Sequence, residues 1–373
     1  MILVKEFLDE LQENAITFYC GVPDSLLKDL CMYISDNIPD DHHIITANEG
    51  NALALAAGYH LASGQIGLVY LQNSGLGNLI NPLTSLTHSK IYRIPVLLII
   101  GWRGMPGTKD EPQHVKQGEI TKSQLDLLDI PFRVLDKNSD FKEILKSTFS
   151  ELKIRNSPIA LLVGPNSFSP YQSPARTENA TLMRENALKI ILDLCDNDDL
   201  IISTTGKTSR ELFELRKSHA EELTDFLTVG SMGHISSIAL GMAIAKPLRR
   251  IICIDGDGSM LMHMGALAII GSLKPSNLVH VILNNASHES VGGQPTAAGN
   301  MDLSLLSESC GYTKYKYADD EDSLISNWKE ISKKQGPIFF EIRIMNSSRE
   351  NLSRPSSSPQ ENKKIFMKHA GVK

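Results

Sequence analysis

Two strand ends in the second half of the chain carry side chains that can bind a metal ion. Asp257 follows the apolar run 251–254 within a Gly-Asp-Gly segment, and Asn285 follows the apolar segment 277–283 as the second residue of an Asn-Asn pair. In a parallel sheet the carboxyl ends of the strands lie at one edge, where open α/β sheets bind their ligands. We therefore expect Asp257 and Asn285 to lie at the same edge.

The chemistry of these residues suits magnesium and a diphosphate group. Asp257 offers an anionic oxygen and Asn285 a neutral one, and a loop carbonyl near Ser287 adds a third, which leaves octahedral Mg²⁺ open to phosphate oxygens. The backbone N–H groups of Gly258 and Ser259 open a predicted helix over 259–273, and such groups favour an anion. The alternative is an ordinary strand–helix–strand unit with polar turns.

The spacing of this unit resembles the signature of the thiamine-diphosphate-dependent enzymes. In that family a Gly-Asp-Gly segment is followed some 25 residues later by Asn-Asn, and here 25 residues lie between Gly258 and Asn284. The resemblance implies that thiamine diphosphate and Mg²⁺ are the cofactors. It also implies that Asp257, Asn285 and the Ser287 carbonyl are the metal ligands.

Glu49 is the residue that the resemblance assigns to activation of the cofactor. It stands in the segment TANEGNALALAAG as the one acid of a small-residue helix start. In this family a glutamate in such a helix holds its carboxylate against a ring nitrogen of the aminopyrimidine, where it takes part in proton transfer. The alternative is a first-turn glutamate that the helix dipole favours.

Two further turns resemble cofactor-binding segments of the family. The segment TVGSMG at 228–233 resembles the turn that holds the aminopyrimidine, which implies that the Gly230 carbonyl accepts its amino group and that Met232 forces the cofactor to bend. A strand–helix turn with a core methionine is the alternative. Thr205 and Gly206, at another strand tip, can bind the far phosphate or a substrate anion.

Several polar residues are candidates for the substrate side. Lys207 and Arg210 follow Gly206 and are the natural partners of a second anionic group on the substrate, although both also fit a solvated helix face. Ser25 and His288 are further predicted substrate-binding residues. Arg103 and Lys109, in the loop before His114, can screen the charge of a dianionic substrate.

Proton delivery to the product has more than one candidate. Asp24, in the segment GVPDS, and His114, in DEPQHV, resemble the acid and the histidine that thiamine-dependent decarboxylases bring to the substrate. His288 and Glu289 are alternatives. The pyruvate decarboxylase pattern has a glutamate six residues after the second asparagine, where this chain has Val291. An N-terminal helix cap for Asp24 and a polar loop position for His114 are the non-catalytic interpretations.

Both halves of the chain alternate apolar strand patterns with helical ones. This alternation predicts an α/β fold with two doubly wound parallel-sheet domains, the fold of the thiamine-diphosphate-binding family. We predict a pyrimidine-binding domain over 1–170, a linker over 171–182, a diphosphate- and magnesium-binding domain over 183–345 and a C-terminal tail over 346–373. The first domain contains a predicted helix over 79–90. The tail is polar and rich in proline and serine.

Composition excludes several classes of partner. The net charge is −6 with no basic block, which makes nucleic acid an unexpected partner. The amphipathic, acid-containing N-terminus does not resemble a signal peptide, and no apolar run reaches transmembrane length. The five cysteines lack a CxxC pair and fit a reduced, cytoplasmic protein without membrane contact.

The compact two-domain order resembles one branch of the family, the phosphonopyruvate decarboxylase family. The strings that carry this resemblance are GVPDSLL, ISTTGKTSRELFE, DFLTVGSMGHISSIALGMAIA and RPSSSPQENKKIFM. It implies conversion of 3-phosphonopyruvate, an anionic 2-oxo acid, to 2-phosphonoacetaldehyde and CO₂ in phosphonate biosynthesis. It also implies a homodimer or higher homo-oligomer with active sites at subunit interfaces.

Other functions compete with this interpretation. Within the family the alternative is a sulfopyruvate decarboxylase or another 2-oxo acid decarboxylase. Outside it, the GDGS segment could be the phosphate loop of a nucleotide-binding regulatory module, but such a module leaves Glu49 and the 228–233 turn unexplained. An interaction protein without a cofactor would show no thermal shift with thiamine diphosphate and Mg²⁺.

Overall fold

The structure is a computed structural model that describes residues 1–174, 180–332, 334–349 and 351–372. The chain divides into two compact units. The first comprises Met1–Ala175 with Val291–Gln294, and the second comprises Arg176–Ser290 with Pro295–Lys373. The predicted linker, 171–182, includes residues 175–179, which lie outside the described residues, and the proposed domain boundaries stay a prediction.

The first unit is built on a six-stranded parallel sheet. Its strand order is β2-β1-β3-β4-β6-β5, and every pair of neighbours is parallel. The strands are short apolar runs, and three of them are buried along their whole length, as expected of strands covered on both faces. Their bounds are β1 Phe18–Gly21, β2 His43–Ile45, β3 Gly67–Gln72, β4 Val96–Gly101, β5 Phe132–Leu135 and β6 Ile159–Val163.

Helices cover both faces of this sheet and enclose two hydrophobic clusters. The fourth helix contains Pro82 and continues into a π-helical turn, Leu83–Thr87, so the predicted helix over 79–90 begins earlier and ends earlier than the periodicity indicates. The helices are α1 Val4–Glu13, α2 Lys28–Asn37, α3 Glu49–Ser63, α4 Leu76–Pro82, α5 Pro112–Leu127 and α6 Phe141–Arg155.

The second unit repeats the architecture. Its six-stranded parallel sheet has the order β13-β14-β10-β9-β7-β8, so β9 and β10 lie at the centre and β8 lies at one edge. The six strands are β7 Leu200–Ser203, β8 Phe226–Leu227, β9 Ile251–Gly256, β10 Leu278–Asn284, β13 Lys314–Ala318 and β14 Ile338–Arg343. Two further short strands, β11 Ser287–His288 and β12 Gln294–Pro295, are not part of this sheet. The predicted fold class, two doubly wound parallel-sheet domains, is confirmed.

The helices of the second unit differ from the expected pattern at two places. The predicted helix over 259–273 is two helices, because His263 leaves the helical conformation at φ −132° and ψ 50°. The polar tail contains a helix that starts at a Ser358–Glu361 capping box. The helices are α7 Arg184–Leu194, α8 Lys207–Ser218, α9 Ile235–Ala245, α10 Asp257–Met262, α11 Gly265–Leu273, α12 Leu303–Cys310, α13 Glu321–Ile331 and α14 Pro359–His369.

Within the described ranges, no helix combines the length and the apolar character that crossing a bilayer requires.

Candidate active site

The two predicted metal-binding side chains follow neighbouring central strands. β9 and β10 are parallel partners, with Gly256 opposite Leu283 at the carboxyl end of the pair. Asp257 is the next residue after β9, and Asn285 is the next residue after β10. The register therefore brings both side chains to the same edge of the sheet.

Asp257 is almost completely buried, with 2% of its surface exposed. The hydroxyl of Thr296 donates a hydrogen bond to Asp257 Oδ2. Burial raises the pKa of Asp257 to about 6, even though the Thr296 hydrogen bond and nearby N–H groups act in the opposite direction. A buried carboxylate that is held in one orientation but still costly to ionise is well suited to a cation, which would remove that cost.

The two asparagines at the end of β10 make different hydrogen bonds. Asn284 donates from Nδ2 to Glu341 Oε1 at 2.7 Å and accepts from the Ala286 N–H, so it fastens the strand end to β14. Asn285 Oδ1 accepts from the Ser287 N–H at 3.1 Å, across a turn in which Ala286 has φ 52°. The Ser287 hydroxyl is buried and has no hydrogen-bond partner among the described residues.

The ring of His288 borders Gly258. A β-carbon on Gly258 would lie 3.3 Å from His288 Cε1 and 3.5 Å from Nδ1. Burial lowers the pKa of His288 to about 4, so the ring is neutral at neutral pH. The structure therefore places His288 beside the Gly-Asp-Gly segment, where it lines the side on which a diphosphate is expected.

Ser259 joins three of the segments that the sequence assigns to the cofactor. Its hydroxyl accepts hydrogen bonds from the Thr204 hydroxyl and from the Gly233 N–H, both at 3.1 Å. Thr204 precedes the predicted phosphate-binding residues Thr205 and Gly206, and Gly233 ends the 228–233 turn. Ser259 Oγ thus fixes the position of two neighbouring turns.

The turn at 228–233 has a constrained backbone. Ser231 and Gly233 have φ values of 56° and 85°, and a β-carbon on Gly233 would lie 2.7 Å from the His263 ring. Glycine at 233 is required both by the left-handed conformation and by this close approach. Gly230 and Met232, the predicted aminopyrimidine contacts, are half-buried in the same turn.

Lys207 and Glu289 form an ion pair in this unit. Lys207 Nζ lies 2.8 Å from Glu289 Oε1, and Arg184 donates to the other oxygen of Glu289 at 2.5 Å and to both oxygens of Glu211. Burial raises the pKa of Glu289, but Arg184 and Lys207 together hold it below its usual range. Two predicted substrate-side residues, Lys207 and Glu289, are therefore bound to each other. Arg210 follows in the first turn of α8.

Glu49 lies at the start of α3 in the first unit, where Asn48 caps the helix by accepting from the Asn51 N–H. The Glu49 carboxyl is 5% exposed. Asn78 donates to its Oε2 at 2.7 Å, and a β-carbon on Gly75 would lie only 2.2 Å from its Oε1. One carboxylate oxygen is therefore oriented by a neutral donor, while the other lies over a residue without a side chain.

Asp24 is fully buried and is held by two donors. Gln72 Nε2 lies 2.6 Å from Asp24 Oδ1, and the Leu26 N–H lies 2.9 Å from Oδ2. A β-carbon on Gly101 would lie 2.1 Å from Asp24 Oδ2, so this glycine leaves room for the carboxyl. Burial raises the pKa of Asp24.

Arg103 organises the neighbouring polar residues. It donates to the Ser25 hydroxyl at 2.7 Å and makes a two-bond ion pair with Asp110 at 2.8 and 2.5 Å. His114 is 9% exposed, and burial, followed by the charge of Arg103, lowers its pKa. Lys109 is exposed. Of the two loop cations, only Arg103 is thus shown in contact with a predicted site residue.

One segment of the first unit contacts both predicted acids, Asp24 and Glu49. Gln72 bonds Asp24, Ser74 donates to Gln72, and Gly75 and Asn78 border Glu49. This segment runs from the carboxyl end of β3 into α4. The structure therefore gathers the predicted acids of this unit around a single strand–helix junction.

Four of these partners were not predicted from the sequence. Gln72 and Asn78 lie in the polar turn QNSGLGN, whose composition is a recognisable signal, although nothing in it points to Asp24 or Glu49. Thr296 and Arg184 lie 39 and 105 residues from Asp257 and Glu289 respectively. No local pattern marks either of them. The functional assignments of the site residues stay predictions.

Two family models match the chain. Residues 1–127 match the model of the thiamine pyrophosphate enzyme, N-terminal TPP binding domain, and residues 204–342 match that of the C-terminal TPP binding domain. The first range includes Glu49 and Asp24, and the second includes both strand ends that are predicted to bind the metal ion. The fold and these matches define the class of protein, the thiamine pyrophosphate enzymes, and support thiamine diphosphate as the cofactor.

Curated relatives narrow the class. A phosphonopyruvate decarboxylase from Streptomyces viridochromogenes is 36% identical over 382 residues, which cover 97% of this chain and 93% of the relative. Another from Streptomyces hygroscopicus is 36% identical and covers 99% and 94%. A sulfopyruvate decarboxylase from Methanosarcina acetivorans is 25% identical and covers 99% and 98%. The chain belongs to the phosphonopyruvate decarboxylase family, which confirms the resemblance predicted from its motifs.

Proposed function

We propose that the protein decarboxylates 3-phosphonopyruvate to 2-phosphonoacetaldehyde and CO₂, with thiamine diphosphate and Mg²⁺ as cofactors, in phosphonate biosynthesis. The observation that carries this proposal is a pair of buried acids, Glu49 and Asp257, at strand–helix junctions of a chain that matches phosphonopyruvate decarboxylases over nearly its whole length. The fold alone would not select a reaction.

The residues after β9 and β10 fit a magnesium–diphosphate group. Asp257 and Asn285 supply hard oxygen ligands, and the Ser287 carbonyl is the proposed third, as Mg²⁺ prefers. Gly258 and the segment Thr205–Gly206 can present N–H groups to phosphate oxygens. When bound, thiamine diphosphate supplies the electron sink that allows a 2-oxo acid to lose CO₂.

Glu49 is the proposed proton-transfer partner of the cofactor's aminopyrimidine. Asn78 donates to one of its oxygens, and the absence of a side chain at Gly75 makes room for the carboxyl itself. This arrangement holds the buried carboxyl in a fixed position. Such fixed placement is what general acid–base catalysis requires of a carboxyl.

Asp24 suits the role of proton donor to the product better than His114 does. Burial raises the pKa of Asp24 and so favours its protonated form, whereas burial lowers the pKa of His114 and favours a neutral ring. A neutral imidazole can still donate a hydrogen bond to the substrate. We therefore assign proton donation to Asp24 and orientation of the substrate to His114.

Two of the cations proposed for the substrate side already have a carboxylate partner. Arg103 is bound to Asp110, and Lys207 is bound to Glu289, so each adds little net attraction for a dianion. Both can still donate hydrogen bonds to a phosphonate. Arg210, Ser25 and His288 complete the proposed contacts of the substrate.

Sulfopyruvate decarboxylation is the second candidate function, and the relative at 25% identity over 99% of the chain supports it. The two substrates differ chiefly in charge, because a sulfonate is a monoanion and a phosphonate is largely a dianion near neutral pH. Selectivity should therefore depend on the balance of cations and carboxylates around the second anionic group.

The test is CO₂ release by the purified protein from phosphonopyruvate, sulfopyruvate and pyruvate, each with thiamine diphosphate and Mg²⁺. We expect kcat/KM to be highest for phosphonopyruvate by at least about tenfold, the factor that one charge-assisted contact can supply. A preference for sulfopyruvate would replace the proposed substrate and leave the cofactor site in place.

We also propose that the enzyme is a cytoplasmic homodimer or higher homo-oligomer with active sites at subunit interfaces. Apolar side chains that are more than half exposed support this, among them Ile244 on α9 and Ile269 and Leu273 on α11. These helices pack on each other in the second unit. An exposed apolar surface of this kind is typical of an interaction site.

A further inference from the structure

The edge strand β8 leads directly into the turn at 228–233. It has only two residues, Phe226 and Leu227, and it pairs with β7 on one side. An edge strand leaves the backbone groups of its other side without a strand partner. A two-residue strand also makes too few ladder bonds to hold the following turn by itself.

The C-terminal helix α14 supplies the missing partner. Asn362 Nδ2 donates to the Asp225 carbonyl at 2.8 Å, and Asn362 Oδ1 accepts from the Leu227 N–H at 3.1 Å. The two backbone groups belong to alternate residues, as do the groups that one residue of a parallel neighbouring strand would bond. The side chain of Asn362 therefore takes the place of a strand along this edge.

The hydrogen bonds of Asn362 to this strand are buried. Asn362 is 6% exposed, Asp225 is 3% exposed and Leu227 is 8% exposed, so water cannot readily replace the lost bonds. Phe366, one turn further along α14, packs on Phe226 with a ring-centroid distance of 5.5 Å. Both contacts are made on residues that immediately precede the turn.

The end of the helix is fastened separately. His369 Nε2 lies 3.3 Å from the Asp199 carbonyl, just before β7, and Arg249 donates to the His369 carbonyl. On the opposite side of β8, the Thr228 hydroxyl donates to the Ser203 carbonyl at 2.7 Å. The start of the turn is thus held between β7 and the tail helix.

We propose that α14 positions the 228–233 turn for the cofactor, with Asn362 as the positioning residue. This inference deepens the proposed function and rests on it, because the turn is the proposed site of the aminopyrimidine. Asn362 does not touch the cofactor; it acts through Asp225 and Leu227. The polar tail is therefore part of the cofactor-binding unit.

The test compares wild-type protein with Asn362→Ala, and with Lys363→Ala as a control on the exposed side of the same helix. Isothermal titration calorimetry of thiamine diphosphate at saturating Mg²⁺ measures Kd. We expect Asn362→Ala to raise Kd about tenfold, because two buried backbone groups lose their partner. Lys363→Ala should leave Kd within about twofold, as expected at an exposed site.

Hydrogen exchange measured without cofactor separates this inference from the proposed function. We expect faster exchange at the amides of 228–233 in Asn362→Ala, with exchange in β9 unchanged. If Asn362→Ala does not fold, Phe366→Leu weakens the same docking and should produce both effects to a smaller degree. Unchanged exchange in the turn and unchanged Kd in the folded variants would overturn the inference, whereas a wild-type protein that binds no thiamine diphosphate would overturn the proposed function.

Discussion

At the scale of single residues, Asn78 determines how Glu49 is presented. It donates to one carboxylate oxygen at 2.7 Å, and no other side-chain donor to Glu49 is found among the described residues. We expect Asn78→Ala to lower kcat by about tenfold, because a mispositioned acid–base group loses much of its catalytic contribution. The Kd for thiamine diphosphate should change less.

Asn81 provides the control for this prediction. It is exposed on the same helix, where it bonds to Ser85 and contacts neither Asp24 nor Glu49 in any described hydrogen bond. Asn81→Ala should retain wild-type kcat. Steady-state kinetics measure kcat for both variants. Equal kcat values for Asn78→Ala and wild type would contradict the role of Asn78 in positioning Glu49.

Asp257 should govern metal-dependent binding of the cofactor. Removing its carboxylate takes away the one anionic ligand of the proposed magnesium set, so Asp257→Ala should lose Mg²⁺-dependent binding of thiamine diphosphate. Titration calorimetry with and without Mg²⁺ measures this, and Asp198→Ala, an exposed acid before β7, is the control. Binding that stays dependent on Mg²⁺ in Asp257→Ala would remove Asp257 from the ligand set.

The sequence predicted Glu49, Asp24 and Asp257 as candidate site residues because each stands in a local motif, but it did not predict the residues that orient them. Asn78 is 29 residues from Glu49, and Thr296 is 39 residues from Asp257. Such partners meet only after the strands between them have paired. A motif can therefore predict the reacting group, whereas its orientation depends on contacts that local sequence does not encode.

At the scale of secondary-structure elements, Arg184 connects α7 to α8 and to Glu289, which follows the proposed metal ligands. Its guanidinium binds Glu211 and Glu289, and both Arg184 and Glu211 are almost fully buried. We expect Arg184→Met to destabilise the fold by about 3–5 kcal/mol, because a buried carboxylate would lose its partner. Urea unfolding measures the change.

Arg349 is a matched comparison for this ion network. It also contacts two glutamates, Glu185 and Glu214, but its side chain is 43% exposed. Arg349→Met should cost no more than about 1 kcal/mol, as is usual for exposed ion pairs. A similar loss in both variants would show that burial does not set the strength of the Arg184 network.

The central strands could be predicted closely, since β9 begins with the apolar run 251–254 and β10 is apolar apart from His280 until Asn284, and both end at polar turns. Helices were harder to delimit. The apolar spacing continues from α10 to α11 because both helices bury apolar side chains, α10 against β9 and β10 and α11 against α9 and α12, so the break at His263 leaves no trace in periodicity. The helix α14 was missed because its polar face dominates its composition, and its docking depends on Asn362 and Phe366.

At the scale of the whole molecule, the proposed machinery is divided between two units. Glu49, Asp24 and His114 belong to the first, and Asp257, Asn285 and the 228–233 turn belong to the second. The sequence predicted two such domains from their alternating patterns. These patterns by themselves do not indicate whether one chain or two supply a complete site, because that depends on surfaces; sites shared between subunits are implied only by the family resemblance.

Mixing two inactive variants tests the proposed interface sites. In a dimer whose sites take one unit from each subunit, Glu49→Gln and Asp257→Ala chains refolded together in equal amounts should recover about one quarter of wild-type activity. Half of the dimers would be mixed, and each of these would hold one intact site. No recovery, with mixed dimers present by mass spectrometry, would contradict sites shared between subunits.

The most direct test of the central claim is CO₂ release from phosphonopyruvate by wild-type protein and by Glu49→Gln, each measured with and without thiamine diphosphate and Mg²⁺. The account predicts turnover by wild type only when both cofactors are present. It predicts no turnover by Glu49→Gln, although calorimetry should still detect cofactor binding by that variant. Turnover by wild type without cofactor, or undiminished turnover by Glu49→Gln, would contradict the proposed thiamine-dependent decarboxylation.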